Sequence, residues 1–207
     1  MSGRFISLEG GEGAGKSTQS RLLADALGER GIPVVLTREP GGSEGAEAVR
    51  ALLMEGTVAR WSAHSEALLF AAARADHVEK RIRPALDAGQ WVICDRYIDS
   101  TRAYQGAQGI EDAAILALHG FGSRGLLPDR TLVLDLPDGA GHARSLERDG
   151  GAADRFGARG PAFHAAVAAQ FRRIAAAEPD RVRLVDASGS VDDVTASLMG
   201  ALADLLP

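Results

Sequence analysis

Short apolar runs alternate along the chain with longer stretches in which apolar residues recur at helical spacing. This alternation is typical of parallel strands joined by crossover helices. The predicted strands cover residues 5–8, 34–36, 91–94, 131–134 and 182–185. The predicted helices cover residues 17–28, 43–55, 65–88, 110–121, 162–177 and 191–205. Pro84 lies late in the third of these helices and should bend it or end a turn. We therefore expect an α/β fold, a five-stranded parallel sheet with helices on both faces.

The composition limits both the fold and the partners. A chain of 207 residues, 45% of them hydrophobic, buries one sizeable core, so we expect a single domain over residues 1–207. The formal net charge of −5 leaves no broad basic surface, and neither nucleic acid nor an anionic membrane is an expected partner. The single cysteine, Cys94, excludes an intramolecular disulfide and favours a reducing compartment. Since the sequence shows neither a long apolar span nor a signal peptide, we predict a cytoplasmic location.

The segment 10–17 satisfies the pattern G-x-x-x-x-G-K-[ST] between the first predicted strand and a helical stretch. Backbone N–H groups of such a loop surround triphosphate oxygens, and side chains at the glycine positions would obstruct that approach. Lys16 supplies a positive charge to the β- and γ-phosphates, and the Ser17 hydroxyl is a ligand for Mg²⁺. The pattern therefore predicts a P-loop NTPase fold that binds a nucleotide. The predicted ATP-binding residues are Gly10, Gly11, Glu12, Gly13, Ala14, Gly15, Lys16, Ser17 and Thr18.

One absence narrows the class of P-loop protein. The sequence contains no asparagine, so the Asn-Lys-x-Asp element by which typical GTPases read guanine cannot be present. The chain is also short for a helicase or a transporter ATPase. A small-molecule kinase fits these features better than a GTPase switch.

Two charged segments follow predicted strands, at the sheet edge where open α/β folds bind their ligands. In the first, Asp95 offers Mg²⁺ a carboxylate and Arg96 offers an acceptor phosphate a bidentate grip. In the second, Arg38 and Pro40 belong to a turn at the end of another strand. A surface ion pair would also explain the first segment, and turn geometry alone would explain the proline and glycines of the second.

Phe70 and Arg74 are four residues apart in a predicted helix and therefore share one of its faces. From that face one aromatic ring and one guanidinium can reach the same ligand. The alternatives are that Phe70 fills the core and that Arg74 is exposed to solvent.

Arginines cluster around the glycine-bearing segment 149–153. Phosphoryl transfer needs positive charge around the moving group, and the variable positions of the P-loop hold no arginine. A small mobile lid over about residues 142–160 would deliver that charge by closing. A solvated helix face is the alternative. The predicted catalytic residues are Lys16, Arg96, Arg144, Arg148 and Arg155.

Together these motifs resemble the thymidylate kinases of the nucleoside monophosphate kinase group, in the bacterial type with lid arginines. The resemblance spans the chain and rests on residues 5–10 leading into the P-loop, 37–42, 69–74, 95–97 and 100–106. It implies in-line phosphorylation of dTMP by ATP to give dTDP, on the route to dTTP, with Mg²⁺ as cofactor. It also implies a homodimer.

The same resemblance implies roles for single side chains. Phe70 would stack on thymine, and Arg74 would bond a base carbonyl. Thr101 and Gln105 would help to read the base edge, and Tyr104 would lie near the sugar.

Other implied roles concern the phosphates and the metal. Arg38 and Arg96 would grip the acceptor phosphate, and Asp95 with Glu9 would organise Mg²⁺ or the reacting groups. Glu12 would pair with a lid arginine. The predicted substrate-binding residues are Glu9, Arg38, Pro40, Phe70, Arg74, Arg96, Tyr97, Ser100, Thr101, Tyr104 and Gln105. The predicted metal ligands are Ser17 and Asp95.

The sequence leaves two other functions open. One is a kinase for another pyrimidine nucleoside monophosphate, in which the same side chains would serve a different base. The other is a non-catalytic P-loop regulator that binds nucleotide and changes shape for a protein partner.

Overall fold

The computed structural model describes residues 3–137, 141 and 155–207. In this part of the chain five parallel strands form one sheet in the order β2-β3-β1-β4-β5. All five predicted strands are confirmed, and each runs one or two residues past its predicted carboxyl end. The strands are β1 Phe5–Gly10, β2 Val34–Arg38, β3 Trp91–Asp95, β4 Arg130–Asp135 and β5 Val182–Asp186.

Strand β1 occupies the centre of the sheet, and all of its residues are buried. Leu8 of β1 is in register with Asp95 of β3, which is also in register with Arg38 of β2. Because the strands are parallel, their carboxyl ends share one edge of the sheet. The register therefore brings the loop after β1 close to both Arg38 and Asp95.

The predicted helices are confirmed with small shifts of their ends, and the last one ends at Gly200 rather than at residue 205. None of the described helices is long and apolar enough to cross a membrane. A short 3₁₀ turn covers Val58–Arg60. The helices are α1 Lys16–Glu29, α2 Glu44–Met54, α3 Ala63–His77, α4 Arg83–Asp87, α5 Ile98–Gly106, α6 Asp112–Ser123, α7 Pro161–Ala177 and α8 Val191–Gly200.

Alternate side chains of the strands belong to different cores, as the period of a strand requires. Ile6 and Leu8 of β1 pack with apolar residues of α1 and α8 on one face of the sheet. Phe5 packs with residues of α3, α4 and α6 on the other face. Val133 of β4 packs with residues of α5 and α7. Helices thus cover both faces of the sheet, as the sequence predicted.

The helix predicted over residues 65–88 changes character near its end. A π turn over Val78–Ile82 separates α3 from α4, and the N–H of Arg83 donates to the carbonyl of Val78. Pro84 has no N–H and its ring crowds the preceding turn, so a wider turn relieves a clash that a regular α-helix would meet. The departure from a regular helix lies just before the proline, where the sequence predicted it.

Helix α5 was not predicted as a helix, because its buried face is largely polar. Asp99 on this face is completely buried and accepts hydrogen bonds from Arg102, Arg181 and Thr131 at 2.7–2.9 Å. Burial raises the pKa of Asp99, but the bonds from Arg181 and the other donors outweigh that effect and lower it. This network ties α5 to β4 and to the start of β5, and so sets the position of Ser100 and the residues that follow.

Candidate active site

A cavity of about 510 Å³ lies at the carboxyl edge of β1, β2 and β3. Most of the side chains predicted for the site contribute to its walls. The predicted residues in the lining are Glu12, Gly13, Gly15, Lys16, Ser17, Thr18, Arg38, Pro40, Phe70, Arg74, Asp95, Arg96, Tyr97, Ser100, Thr101, Tyr104 and Gln105. The described residues that were predicted for the site and lie outside this lining are Glu9, Gly10, Gly11, Ala14 and Arg155.

The predicted P-loop follows β1 and leads into α1, which begins at Lys16. Gly15 has a φ of +88° and Gly10 a φ of +133°, a region that side chains disfavour. A Cβ at Gly10 would also lie 2.6 Å from the carbonyl oxygen of Leu134. Lys16 Nζ donates to the carbonyls of Gly11 at 2.6 Å and Gly10 at 3.2 Å. Burial and the charge of Arg96 lower the pKa of Lys16 to about 8. The loop thus combines a helix N-terminus with a buried ammonium group, which suits a phosphate chain.

Ser17 and Asp95, the two predicted metal ligands, are in direct contact. The Ser17 hydroxyl donates to Asp95 Oδ2 at 2.6 Å. In the described part of the chain no group of three or more His, Cys, Asp or Glu residues could hold a metal ion. A magnesium ion needs no such group, because one or two protein oxygens suffice where phosphate oxygens and water complete its octahedron. The donor set therefore fits Mg²⁺ bound together with a nucleotide.

Arg96 connects the P-loop to α5. Its backbone φ of +70° lies in the left-handed region, which is strained for a residue with a side chain. The guanidinium donates to Glu12 Oε1 at 2.8 Å, to the Gly10 carbonyl at 3.0 Å and to Ser100 Oγ at 3.1 Å. It lies 5.1 Å from the centre of the Tyr104 ring. The surface ion pair considered from sequence is therefore wrong, because Arg96 is held in the cavity wall with 18% of its side chain exposed.

Glu12 was expected to pair with a lid arginine, whereas its described ion-pair partner is Arg96. Tyr104 also donates to Glu12, at 3.1 Å. Burial raises the pKa of Glu12, but Arg96 and Lys16 outweigh it and lower the pKa to about 2. Glu12 is thus a carboxylate that orients Arg96, and the pairing follows from the left-handed turn of the β3–α5 loop, which the sequence does not reveal.

Glu9 lies beneath the cavity. Its carboxyl oxygens accept hydrogen bonds from the Tyr97 N–H at 2.7 Å and from the Ser100 hydroxyl at 2.5 Å. Burial and the neighbouring charge of Asp99 raise the pKa of Glu9 to about 8, against the opposing effects of Ser100, Arg96 and Tyr97. Glu9 therefore supports the residues of the cavity wall rather than forming part of it.

Arg74 is buried, so the solvated alternative is wrong. Its Nε donates to Glu39 Oε2 and its Nη2 donates to Thr101 Oγ1, both at 2.8 Å. The other oxygen of Glu39 lies 3.0 Å from His77 Nδ1, and His77 Nε2 lies 2.8 Å from Thr37 Oγ1. A polar chain from β2 to α5 thus fixes Arg74. Sequence reasoning missed His77 because a single histidine in a helix carries no distinguishing signal.

Phe70 combines the two roles that the sequence left open. It packs against Phe156 with ring centres 5.7 Å apart, and it also lines the cavity. Phe70 and Arg74, one helical turn apart, both lie in the cavity wall, as the shared face predicted.

The predicted phosphate ligand Arg38 is half-exposed and pairs with Glu47 at 3.1 Å. Pro40 follows Glu39 through a cis peptide bond, and its carbonyl accepts a hydrogen bond from Arg50 at 2.8 Å. Both Arg38 and Pro40 line the cavity.

The predicted lid falls mostly outside the described residues, and Arg144 and Arg148 lie there. Arg155 is described, and its completely buried side chain forms an ion pair with Glu66 at 2.6 Å. It also donates to the carbonyls of Leu53 at 3.0 Å and Val58 at 3.3 Å. The lid and the catalytic roles of its arginines stay predictions.

Five residues that were not predicted as ligands complete the lining: Arg21, Glu39, Arg50, Met54 and Phe156. The position of Arg21, four residues after Ser17 in α1, is a signal that could have been used, and its Nε donates to the Ser17 carbonyl. Met54 and Arg50 carry no local signal of this kind.

Comparisons with known proteins agree along the whole chain. A family model described as thymidylate kinase matches residues 8–198. The thymidylate kinase of Rhizorhabdus wittichii is 61% identical over 208 residues, covering 100% of both chains. That of Caulobacter vibrioides is 52% identical, covering 99% of this chain and 98% of the relative. The crystal structure of the thymidylate kinase from Ehrlichia chaffeensis has a TM-score of 0.78 at 34% identity, with 100% of both chains covered.

The raised pKa of Glu9 predicts a pH dependence of stability. Between the ordinary pKa of 4.5 and the folded value of about 8, the folded protein keeps a proton that the unfolded chain has released. The contribution of Glu9 to the free energy of unfolding should therefore fall as the pH rises through this window, by an amount on the order of 2–4 kcal/mol. Burial lowers the pKa of His119 from 6.5 to about 4, which has the opposite effect at the acid end of the window, so the quantity to compare is the difference between the wild type and Glu9→Gln. Urea unfolding of the wild type and of Glu9→Gln between pH 5 and 8 measures it, and the variant should lose much of the slope.

Glu47→Gln is the matched control, because Glu47 has a lowered pKa and stays ionised throughout this window. Its curve should run parallel to that of the wild type. Parallel curves for Glu9→Gln and the wild type would contradict the assignment of the proton to Glu9.

Proposed function

The chain belongs to the thymidylate kinase family and phosphorylates dTMP with ATP to give ADP and dTDP, and we propose that the cavity at the sheet edge performs this reaction. One observation carries the assignment to this cavity. One cavity is lined by the P-loop, the Ser17–Asp95 pair and the Phe70–Arg74 face. A phosphoryl donor at the P-loop and an acceptor base at Phe70 can therefore occupy the same space. A regulator that binds nucleotide alone would not need a place for the acceptor. Neither it nor a kinase for another monophosphate is favoured, since the family match covers residues 8–198.

At the donor end, the P-loop N–H groups and the start of α1 bind the ATP phosphates, and Lys16 supplies a charge to the β- and γ-phosphates. Ser17 and Asp95 would hold Mg²⁺, which neutralises charge on the phosphate oxygens when it is bound. Lys16 with a pKa of about 8 is mostly protonated near neutral pH, as this role requires.

At the acceptor end, Arg96 and Arg38 bind the dTMP phosphate. The planar guanidinium of Arg96 is oriented by Glu12 and Ser100, so little conformational freedom is lost when a phosphate is bound. Its contact with the Gly10 carbonyl places it beside the donor loop. Arg96 therefore aligns the attacking phosphate oxygen with the γ-phosphate, and alignment is the main requirement of in-line transfer.

The base end lies between α3 and α5. The Phe70 ring stacks on thymine, and Arg74, held by Glu39 and Thr101, donates to a base carbonyl. Tyr104, against Arg96, lies near the sugar. The stacking contact from α3 and the contacts to the base edge from α3 and α5 fix the thymine while the phosphate of dTMP reaches Arg96.

We also propose that the enzyme is a homodimer. Phe121 on α6 is 93% exposed and Leu68 on α3 is 57% exposed, and these two helices pack against each other. A second chain that covers this face would remove both side chains from water, which favours association. A cytoplasmic location stays a prediction, supported by the one cysteine, which is buried as a free thiol.

The role of Arg96 predicts a selective loss. Arg96→Ala should lower kcat/KM for dTMP by about 10²–10³-fold, because the clamp on the acceptor phosphate is removed, while Kd for ATP changes by less than about fivefold. A coupled ADP-release assay and nucleotide titration measure the two effects. Arg60→Ala, which removes a surface arginine near Glu55, is the control. Equal losses in dTMP use and ATP binding would show that Arg96 serves the P-loop alone.

The metal site predicts a shift in magnesium dependence. EDTA should abolish turnover, and Asp95→Asn should raise the Mg²⁺ concentration for half-maximal rate at least about tenfold, because the carboxylate charge is lost. Asp135→Asn is matched to it, since Asp135 likewise ends a strand, β4 on the other side of β1, but pairs with Arg172. An unchanged magnesium requirement in Asp95→Asn would remove Asp95 from the metal site.

The homodimer predicts a particle of about twice 21.6 kDa by light scattering at assay concentrations. Phe121→Asp should yield the monomer, because a charge in the covered face is costly to bury. Leu184→Asp changes an exposed leucine of β5 and should leave the dimer intact. A monomeric wild type would contradict the proposal.

A further inference from the structure

Glu66 on α3 is a completely buried carboxylate beside the base end of the cavity. Its Oε1 accepts from Arg155 at 2.6 Å and from Arg159 at 2.8 Å. Its Oε2 accepts from the side-chain amides of Gln105 at 3.2 Å and Gln108 at 3.0 Å. Four side chains thus meet at one carboxylate that does not itself line the cavity: Gln105 from α5, Gln108 from the turn after it, Arg155 and Arg159.

The two guanidinium groups determine what Glu66 can do for Gln105. Glu66 accepts from both guanidiniums with Oε1 and presents Oε2 as an acceptor to the two amides. Gln105 must therefore turn its NH₂ group toward Glu66, because the reversed amide would set one acceptor against another. The orientation of the Gln105 amide is thereby fixed, with Nε2 toward Glu66 and Oε1 on the other side of the amide group.

The carbonyl oxygen of Gln105 is the atom left available to a ligand. Gln105 lines the cavity, and its Oε1 is buried without a hydrogen-bond partner among the described residues. A buried acceptor left without a donor is costly, so a ligand with an N–H group at this place gains binding free energy. Thymine carries an N–H at ring position 3, between its two carbonyls, whereas cytosine carries an acceptor nitrogen there.

We propose that Glu66 is a positioning residue that sets the choice of base: it holds the Gln105 carbonyl as an acceptor for the N3–H of thymine and against cytosine. This inference rests on the proposed function of the cavity. Glu66 touches no substrate and acts through Gln105. Selectivity arises because a cytosine base would face Oε1 with another acceptor.

The same geometry assigns Arg155 and Arg159 to this task. Arg155 also bonds two carbonyls and lies 4.7 Å from the centre of the Phe156 ring, which packs against Phe70. Arg159 lies 4.5 Å from the centre of the Phe163 ring. Both guanidiniums are thus held by Glu66 and aromatic rings, where they occupy Oε1 of Glu66 and leave Oε2 to the two amides. Arg155 is a positioning residue in this assignment and not a cation of the transition state.

The test is a comparison of kcat/KM for dTMP, dUMP and dCMP in four proteins: the wild type, Glu66→Gln, Gln105→Met and their double variant. A carboxamide at position 66 can donate as well as accept, so the side-chain amide of Gln105 can adopt either orientation. We expect the dTMP/dCMP ratio to fall about tenfold in Glu66→Gln and in Gln105→Met. The dTMP/dUMP ratio should stay within about twofold, because uracil has the same N3–H.

The double variant separates positioning from general stabilisation. If Glu66 acts through Gln105, adding Glu66→Gln to Gln105→Met should change the dTMP/dCMP ratio by less than about twofold. Gln108→Met is the matched control, since Gln108 bonds the same carboxylate oxygen but does not line the cavity. It should leave every ratio unchanged.

Glu66→Gln leaves two guanidiniums without their carboxylate, which destabilises the fold. The measurement is therefore repeated with Glu66→Gln/Arg155→Met, which removes one cation together with the anion. Equal losses for all three substrates would reduce Glu66 to a structural role and overturn the inference. An unchanged dTMP/dCMP ratio in Gln105→Met would also overturn it. A wild type that fails to use dTMP would instead contradict the proposed function.

Discussion

The burial of guanidinium groups together with carboxylates is the constraint on which the site depends. Arg74 is paired with Glu39, and Arg96 with Glu12. Removing a charge from water is costly unless an opposite charge lies close by. Since each pair joins segments that are distant in the chain, satisfying these charges also brings the P-loop, the end of β3 and α3 to one cavity. The arrangement that suits two anionic substrates is thus a condition of burying the arginines that line it.

The strands, the P-loop and the position of Asp95 could be predicted because local sequence patterns carry them. Apolar runs mark the strands, and parallel topology places Asp95 at the edge that binds ligands. The partners of the arginines could not be predicted in this way. Glu12 and Arg96 are 84 positions apart, and nothing in the local sequence distinguishes the buried Arg155 from an exposed lid arginine. Long-range charge pairing follows from tertiary structure alone.

Helix α5 shows the same limit at the level of secondary structure. A helix that buries Asp99 and Arg102 has no apolar stripe, so periodicity does not reveal it. Its polar face becomes favourable only when Arg181 lies against it, across 82 positions. Because buried ion pairs add little net stability compared with apolar packing, their main contribution here is to define a geometry. That geometry fixes α5, and with it the positions of Ser100 and Gln105 in the cavity wall.

The donor and acceptor ends of the cavity come from separate stretches of the chain. In the proposed assignment the turn between β1 and α1 binds ATP, whereas α3 and α5 supply the side chains around the base. A duplicated gene can therefore accumulate changes in α3 and α5 and acquire a new acceptor while its phosphoryl donor is unaffected. Arg96 is the exception, since its guanidinium contacts Glu12 from one stretch and Ser100 from the other. A substitution of Arg96 alters the donor end and the acceptor end together. Kinases of this fold that differ in the base they accept should therefore still have an arginine at this position.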